Sequence, residues 1–418
     1  MNIAEWCQYI ESIHLQEMDL TLDRIRMVAD QLNVLPVSVP VLMVAGTNGK
    51  GTTTAFLTHC LCQLGYDVGS HTSPHLLAIN ERFVINGQPI TDDHLCQAFA
   101  AIEQARGKIL LTFFEFCVLA ALYWFRQCSV DVLVLEVGLG GRLDAVNVVD
   151  ADVAIITNIA LDHQQWLGPD RDAIGREKAG ICRLGKPVIC GDENPPDAML
   201  ATIQQAGAKL IQSNRDFCVE LQDNTWQWRG MGYVYSNLPL PNIPLQNAAT
   251  AMAALQCLPM LDKTFNSLFW RDALTQVRVL GRYQRFALPQ QVIVDVAHNP
   301  DAAQYLLCQL QAHPVRGKTY ALFSALADKD ISGIVRTIAP AIDAWSYAPL
   351  TCPRAASMVD LAAVLPTLAQ REVDVLAACQ KIISQLQPDD RLVVFGSFFT
   401  VGAVLPWLIE QSKNAPIT

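Results

Sequence analysis

The sequence predicts an α/β protein made of two units, a larger one over residues 1–280 and a smaller one over residues 281–418. Three observations predict it. Short, continuously apolar, β-rich runs alternate with helical stretches, the pattern of a mostly parallel sheet covered on both faces. That pattern breaks off and then restarts near Leu280-Gly281-Arg282. The chain has 418 residues, enough for two or three domains, and at 51% hydrophobic against 17% charged residues it can build buried cores rather than stay disordered.

The elements follow in order. Val39 to Ala45 reads as a buried strand and Thr52 to Leu64 as the helix after it. Phe116 to Phe125 is a core helix, flanked by Glu115 and Arg126 and too short to span a bilayer. Asp131 to Val137 and Asp152 to Thr157 are two more buried strands. Residues 217–238, with two tryptophans and several turn formers, read as an antiparallel excursion, and Leu245 to Leu258 as a helix. In the second unit, of about 140 residues, strands are expected at Gln291–Val296, Thr319–Phe323, Ala344–Tyr347 and Leu392–Phe395, with a helix from Pro300.

A net charge of −10 and a pI near 5.3 exclude a general attraction for nucleic acid or anionic membranes. Any anion the chain binds therefore needs local lysine, arginine, helix ends or metal. The 13 cysteines include no C-x-x-C pair, which points to reduced thiols in a cytoplasmic protein. No basic stretch followed by an apolar one opens the chain, so no secretory signal is expected.

The segment Gly46-Thr47-Asn48-Gly49-Lys50-Gly51-Thr52-Thr53 lies between a buried strand and a helix. Glycines there let backbone N–H groups approach phosphate oxygens, and the helix adds the positive end of its dipole. Lys50 would reach the β/γ-phosphates and Thr52 or Thr53 would offer a hydroxyl near a metal. The glycine of a standard Walker A loop would fall at Val44 and is absent, so the loop is a short G-x-x-G-K-G-T variant. The other reading is a glycine-rich turn with a solvated lysine. With the strand before and the helix after, a P-loop-type first unit is expected, and the restart of strand and helix after Leu280 predicts a smaller, Rossmann-like α/β second unit.

Ligands of open α/β sheets sit at the carboxyl ends of strands. Ser73, Glu136 and His163 each fall at or just past such an end. A hydroxyl, a carboxylate and an imidazole converging there could hold Mg²⁺, although imidazole suits Mg²⁺ poorly; His163 would then act through water, favour Mn²⁺ or hold a second ion. Taken singly, Ser73 reads as a turn residue and His163 as a loop histidine.

Five segments together resemble the Mur ligase superfamily, in its bifunctional folylpolyglutamate synthase/dihydrofolate synthase branch. They are the loop with Gly51 between Lys50 and Thr52, Thr72-Ser73-Pro74-His75-Leu76, Glu136 to Asp144, Asn158 to His163, and Arg176-Glu177-Lys178-Ala179-Gly180-Ile181. Leu280-Gly281-Arg282 and Val294 to Pro300 resemble the second-domain signatures, and the likeness runs from about Tyr9 to about Gly402.

The resemblance implies an ATP-dependent amide ligase that joins L-glutamate to dihydropteroate and to reduced folates through an acyl-phosphate. It implies Mg²⁺, one ion or two, with Ser73, Glu136, His163 and a carbamylated Lys178 as ligands, and a potassium ion. Thr47, Asn48, Gly49, Lys50, Gly51 and Thr52 would bind ATP with Asn247, Arg282 and Asp295. Taken alone, Lys178 is a helix-surface lysine and Asn247 a helix cap or polar helix position. His298 would face the interdomain cleft and act in catalysis beside Lys50 and Lys178. Ser12, Ile13 and His14, Thr112, Phe113, Phe114 and Glu115, and Leu143, Asp144, Ala145 and Val146 would line the pterin pocket. The plainer reading of Phe113 and Phe114 is core packing, and of Asp144 a loop cap. Two positions depart from the family pattern: Val146 stands where threonine is expected, and Ser324 where glycine is. A peptidoglycan-precursor ligase would carry a further N-terminal domain, for which about 40 residues before the loop are too few. A nucleotide switch would not need Arg282 and His298. A monomer that binds neither nucleic acid nor membrane is expected.

Overall fold

Buried runs pair edge to edge because their backbone N–H and C=O groups have no water to turn to. In the computed structural model, which describes residues 1–13, 19–261, 265–288 and 290–414, eight strands do so in the first sheet. They are β1 (Val41–Ala45), β2 (Val68–His71), β3 (Phe83–Ile85), β4 (Gln88–Pro89), β5 (Val132–Glu136), β6 (Val153–Ile156), β7 (Pro187–Cys190) and β8 (Lys209–Gln212). Their order is β4-β3-β2-β5-β1-β6-β7-β8. From β2 to β8 every neighbouring pair is parallel, and β3 and β4 close one edge antiparallel.

All five residues of β1 and all five of β5 are buried. Val41, Met43 and Ala45 of β1 point into the cluster that holds Phe99, Phe116 and Leu119. Leu42 and Val44 alternate to the opposite face. The Lys50–Gln63 helix starts two residues before the expected Thr52, because Gly49 adopts φ +82 and turns the chain into it. The neighbours of β1 are β5 and β6, so the chain leaves β1 on one side and later returns on the other. The carboxyl end of β1 is therefore a topological switch point, where open α/β sheets bind ligands.

The antiparallel excursion consists of β9 (Phe217–Gln222), β10 (Thr225–Gly230) and β11 (Tyr233–Pro239), with Trp226 and Trp228 fully buried. The Leu245–Leu255 helix that follows ends three residues before the expected Leu258.

The chain divides into two compact units, Met1–Arg278 and Val279–Thr418. The second has its own sheet of β12 (Gln284–Ala287), β13 (Gln291–Asp295), β14 (Thr319–Phe323), β15 (Ala344–Tyr347), β16 (Gln370–Arg371) and β17 (Arg391–Phe395). Its order is β12-β13-β17-β14-β15-β16, parallel except for β12 at one edge. Among the described residues, no helix is long and apolar enough to cross a membrane.

Candidate active site

The loop after β1 is fastened to the loop after β6. The Thr47 N–H donates to the Asn158 carbonyl at 2.9 Å and the Asn48 N–H to the Asn158 side-chain oxygen at 2.8 Å. The Thr157 hydroxyl donates to the Asn48 carbonyl at 2.6 Å. Thus two of the loop N–H groups serve the loop's own shape. Those left to approach an anion lie at the start of the Lys50–Gln63 helix, where the dipole also helps.

Two glycines make this geometry possible. At Gly46, φ is +144 and an added Cβ would fall inside the Thr157 hydroxyl; at Gly49, φ is +82 and a Cβ would strike the Asn247 amide. Gly46→Ala is therefore expected to lower unfolding free energy by at least about 2 kcal/mol, read from denaturant unfolding. Asn247, buried on the Leu245–Leu255 helix, donates its Nδ2 to Thr52 Oγ1 at 2.8 Å and so rests against the same loop.

Two lysines converge on one oxygen. Lys50 Nζ donates to the Gly46 carbonyl at 3.1 Å and to the Thr47 carbonyl at 3.2 Å. Lys178 comes from the Arg171–Ala179 helix, is buried, and donates to the same Gly46 carbonyl at 2.8 Å. Burial, and then the neighbouring Lys50 charge, lower the Lys178 pKa to about 7. The expected helix-surface lysine of the bare sequence is thus an interior one.

Glu136 ends β5 with its carboxylate against the first turn of the Lys50–Gln63 helix, 3.6 Å from where a Cβ of Gly51 would lie. It accepts the Ser73 N–H at 3.0 Å. His163 has a left-handed φ of 51 and sits beside Asp162, its N–H donating to that carboxylate at 2.8 Å. The Asp162 charge in turn acts on Lys178. The structure thus joins Ser73 to Glu136 and Lys50 to Lys178, and ties His163 to the group through Asp162. Among the described residues, no three His, Cys, Asp or Glu side chains form a metal-holding group. The donors that fit a metal here are hard oxygens, the buried Glu136 carboxylate and the Ser73 hydroxyl. They suit Mg²⁺ or Mn²⁺ whose remaining positions go to phosphate and water.

The expected pterin set is spread over several tasks. Ser12 is exposed and donates to the Tyr9 carbonyl at 2.6 Å; Ile13 is partly buried at the end of the first helix; His14 lies outside the described residues. Thr112 caps the Phe113–Gln127 helix, and Glu115 returns the bond to the Thr112 N–H at 2.7 Å while also holding Arg24 at 2.9 Å. Phe114 lies across Gly138, just beyond Glu136, and Phe113 meets Arg82. Leu143 is partly buried, and Ala145 and Val146 belong to the core. Asp144 is buried as the cap of a short helical turn, accepting the Leu139 and Val146 N–H groups at 2.7 and 3.0 Å. Burial raises its pKa to about 6 although those bonds oppose the rise.

In the second unit, Asp295 ends β13 and accepts the Tyr283 and Ala297 N–H groups, each at 2.7 Å. Burial raises its pKa, and Arg282 opposes the rise. The Arg282 guanidinium lies 5.2 Å over the Phe398 ring, whose centroid is 6.1 Å from that of His298. His298 Nδ1 contacts the Val296 carbonyl at 2.9 Å. Thr157, Asn158 and Asp162 carry parts of the first site that the sequence reading did not assign. Their place at the end of a buried strand signals them, and for Asn158 and Asp162 so does the family-like segment Asn158 to His163.

The two domains match known types. Residues 44–216 match the Mur ligase middle domain, and residues 281–398 the Mur ligase glutamate ligase domain. The chain is 42% identical over 403 residues to dihydrofolate synthase/folylpolyglutamate synthase of Escherichia coli K12, covering 96% of this chain and 94% of that one. The solved structure of E. coli FolC in complex with DHPP and ADP superposes with a TM-score of 0.94 at 41% identity, covering 98% of both chains. A bifunctional folylpolyglutamate synthase/dihydrofolate synthase with Mn, AMPPNP and L-glutamate bound gives 0.92 at 42% identity, again over 98% of both. This chain belongs to the dihydrofolate synthase/folylpolyglutamate synthase family.

Proposed function

We propose that this ATP-dependent ligase adds L-glutamate both to dihydropteroate, giving dihydrofolate, and to reduced folates, giving folylpolyglutamates. The observation that carries the reading is the pair of lysines sharing the Gly46 carbonyl at the switch point, beside the Glu136 carboxylate that Ser73 holds. In the reaction, a substrate carboxylate oxygen attacks the γ-phosphorus of ATP, and ADP leaves with the electrons of the broken P–O bond. The glutamate nitrogen then attacks the acyl carbon, a tetrahedral intermediate forms, and phosphate leaves as the amide forms and the nitrogen loses its proton.

Most of the work is positioning and charge neutralisation. Lys50 would neutralise the transferring phosphoryl group, and the amides of the first helical turn would hold the other phosphates. Asn247 would hold the loop in shape and meet the nucleotide. Arg282 and Asp295 are assigned to the nucleotide and His298 to catalysis. Mg²⁺, held by Glu136 and Ser73 with His163 nearby, would supply further neutralisation of the phosphates. Lys178 would carry a carbamate, which turns a cation into an oxygen donor. A potassium ion is part of the same reading. Phe114 would meet the pterin face, and Asp144 its N–H groups.

All 13 cysteines are free thiols, which supports a reducing, cytoplasmic setting. The acidic chain supports a protein without nucleic-acid or anionic-membrane partners, and a monomer is part of the same reading. The test is ADP release with ATP, Mg²⁺ and L-glutamate, with either dihydropteroate or tetrahydrofolate as acceptor. Turnover of both is expected. Turnover of tetrahydrofolate alone would reduce the activity to polyglutamate synthesis.

A further inference from the structure

Next to Ser73 the structure assembles a cation that the reaction above does not use. Arg82 is partly buried at the turn leading into β3. Its Nε donates to His75 Nδ1 at 2.9 Å, so that ring nitrogen offers a lone pair and the His75 ring is neutral in this arrangement. Its guanidinium lies 5.4 Å over the Phe113 ring. Its charge also acts on the Cys117 thiol, which burial pushes up to about 11, and on the Cys7 thiol. Burial likewise raises the Cys7 pKa.

The nearest carboxylate in sequence is engaged by backbone instead, though its charge reaches His75. Glu81 accepts the N–H groups of Leu76, Leu77 and Ala78 at 2.7, 2.7 and 2.8 Å. Among the described residues, no carboxylate pairs with Arg82. Among the described residues, a guanidinium set among a neutral imidazole, thiols and an aromatic face keeps a positive charge with no carboxylate in ion-pair contact, although Glu81 and Glu11 act on the neighbouring His75 and Cys7. Such a group recognises an anion, and carboxylates are the anions that match its planar fork.

The location narrows the ligand. His75 is two residues beyond Ser73, whose N–H holds the Glu136 carboxylate. Phe113 opens the helix whose next residue, Phe114, lies across Gly138. The Arg82 group thus adjoins both the expected metal end and the expected pterin end of the site. We propose that Arg82 binds a carboxylate of the acceptor's glutamyl tail that does not react, a group that folates carry and dihydropteroate lacks. This rests on the functional reading above and deepens it: Arg82 would favour acceptors that already bear glutamate.

The experiment compares Arg82→Gln and Arg82→Lys with wild type in ADP-release kinetics, with melting temperature followed alongside. Loss of one charge-assisted bond is expected to raise the KM for tetrahydrofolate about tenfold in Arg82→Gln. The KM values for dihydropteroate, ATP and L-glutamate should move far less, and Arg82→Lys should recover part of the loss. An unchanged KM for tetrahydrofolate would overturn the proposal. So would an equal rise for both acceptors with a lowered melting temperature, which marks a structural arginine, or a rise confined to L-glutamate, which places the charge on the incoming amino acid. Wild-type protein that turns over neither acceptor overturns the functional reading itself, an outcome separate from an active wild type with an indifferent Arg82 variant.

Discussion

Lys50→Ala is expected to remove ligation while leaving the fold in place. Two of the bonds that Lys50 makes are to neutral carbonyls of its own loop, at 3.1 and 3.2 Å. Their loss should cost about 1 kcal/mol of stability, since net contributions of single hydrogen bonds are of that order. The loop's shape rests on other groups, namely Gly46, Gly49 and the bonds from Thr47, Asn48 and Thr157. The catalytic loss is of another size. A positive charge aimed at a transferring phosphoryl group acts in the transition state, where one such contact is worth about 3 kcal/mol or more, on the order of a hundredfold in rate. The variant also removes one of the two causes that depress the Lys178 pKa, so that lysine would be protonated more fully at neutral pH. Both effects act in the same direction. The check is the initial rate of ADP release, with a thermal melt of the same sample. A folded variant with near wild-type turnover would refute the role given to Lys50.

How far the site can be read from the sequence depends on how local its signals are. The phosphate loop is legible because its signature lies within eight residues between an apolar strand and a helix. Each sheet can likewise be anticipated strand by strand, since burial on both faces leaves continuous apolar runs such as Val41–Ala45 and Val132–Glu136. The order of the strands is not legible in that way. It is set by which crossover returns to which side of β1, and no short window contains that information.

The same limit explains the partners. Asn158 fastens a loop 110 residues earlier in the chain, and Lys178 reaches a carbonyl 132 residues away. Neither spacing has a pattern of its own. Thr112 and Glu115 are the reverse case. Their T-x-x-E spacing spells a capping box, and the structure uses both residues as one, whereas they are expected in the pterin pocket beside the aromatic rings of Phe113 and Phe114. Asp144 follows the same course: its carboxylate is occupied by two backbone N–H groups, so any pterin contact must share oxygens that already shape the loop. A local rule and a family motif can thus claim the same residue, and the geometry shows that the cap is present whichever further role is added.

Lys178 carries the other large expected effect. It is 4% exposed, and its amine donates to the Gly46 carbonyl that Lys50 also uses. Burial makes the charge costly, and repulsion from the Lys50 ammonium on the same carbonyl adds to that cost, which together hold Lys178 near 7. At neutral pH its amine and ammonium forms are therefore comparable, whereas an ordinary lysine is neutral in roughly one molecule in a few thousand. Only the neutral amine can attack carbon dioxide. The new N–C bond makes a carbamate, one proton passes to solvent, and a repulsive pair with Lys50 becomes an attractive one. The sign of the pH effect follows. Below about pH 7 the ammonium predominates and carbamate formation slows; above it the amine predominates and formation is fast. Protein dialysed free of carbon dioxide should thus regain activity on adding bicarbonate more slowly as the pH falls through 7. Lys178→Ala should lose at least about a hundredfold in rate, the scale of losing an oxygen donor beside the phosphates. Acetate or formate should restore part of that rate by standing in for the missing carbamate. Carbon-13 NMR with labelled bicarbonate should show a carbamate resonance in wild type that is absent from the variant. Full activity in carbon dioxide-free buffer, together with no rescue of Lys178→Ala by short carboxylic acids, would leave Lys178 as a buried amine and nothing more.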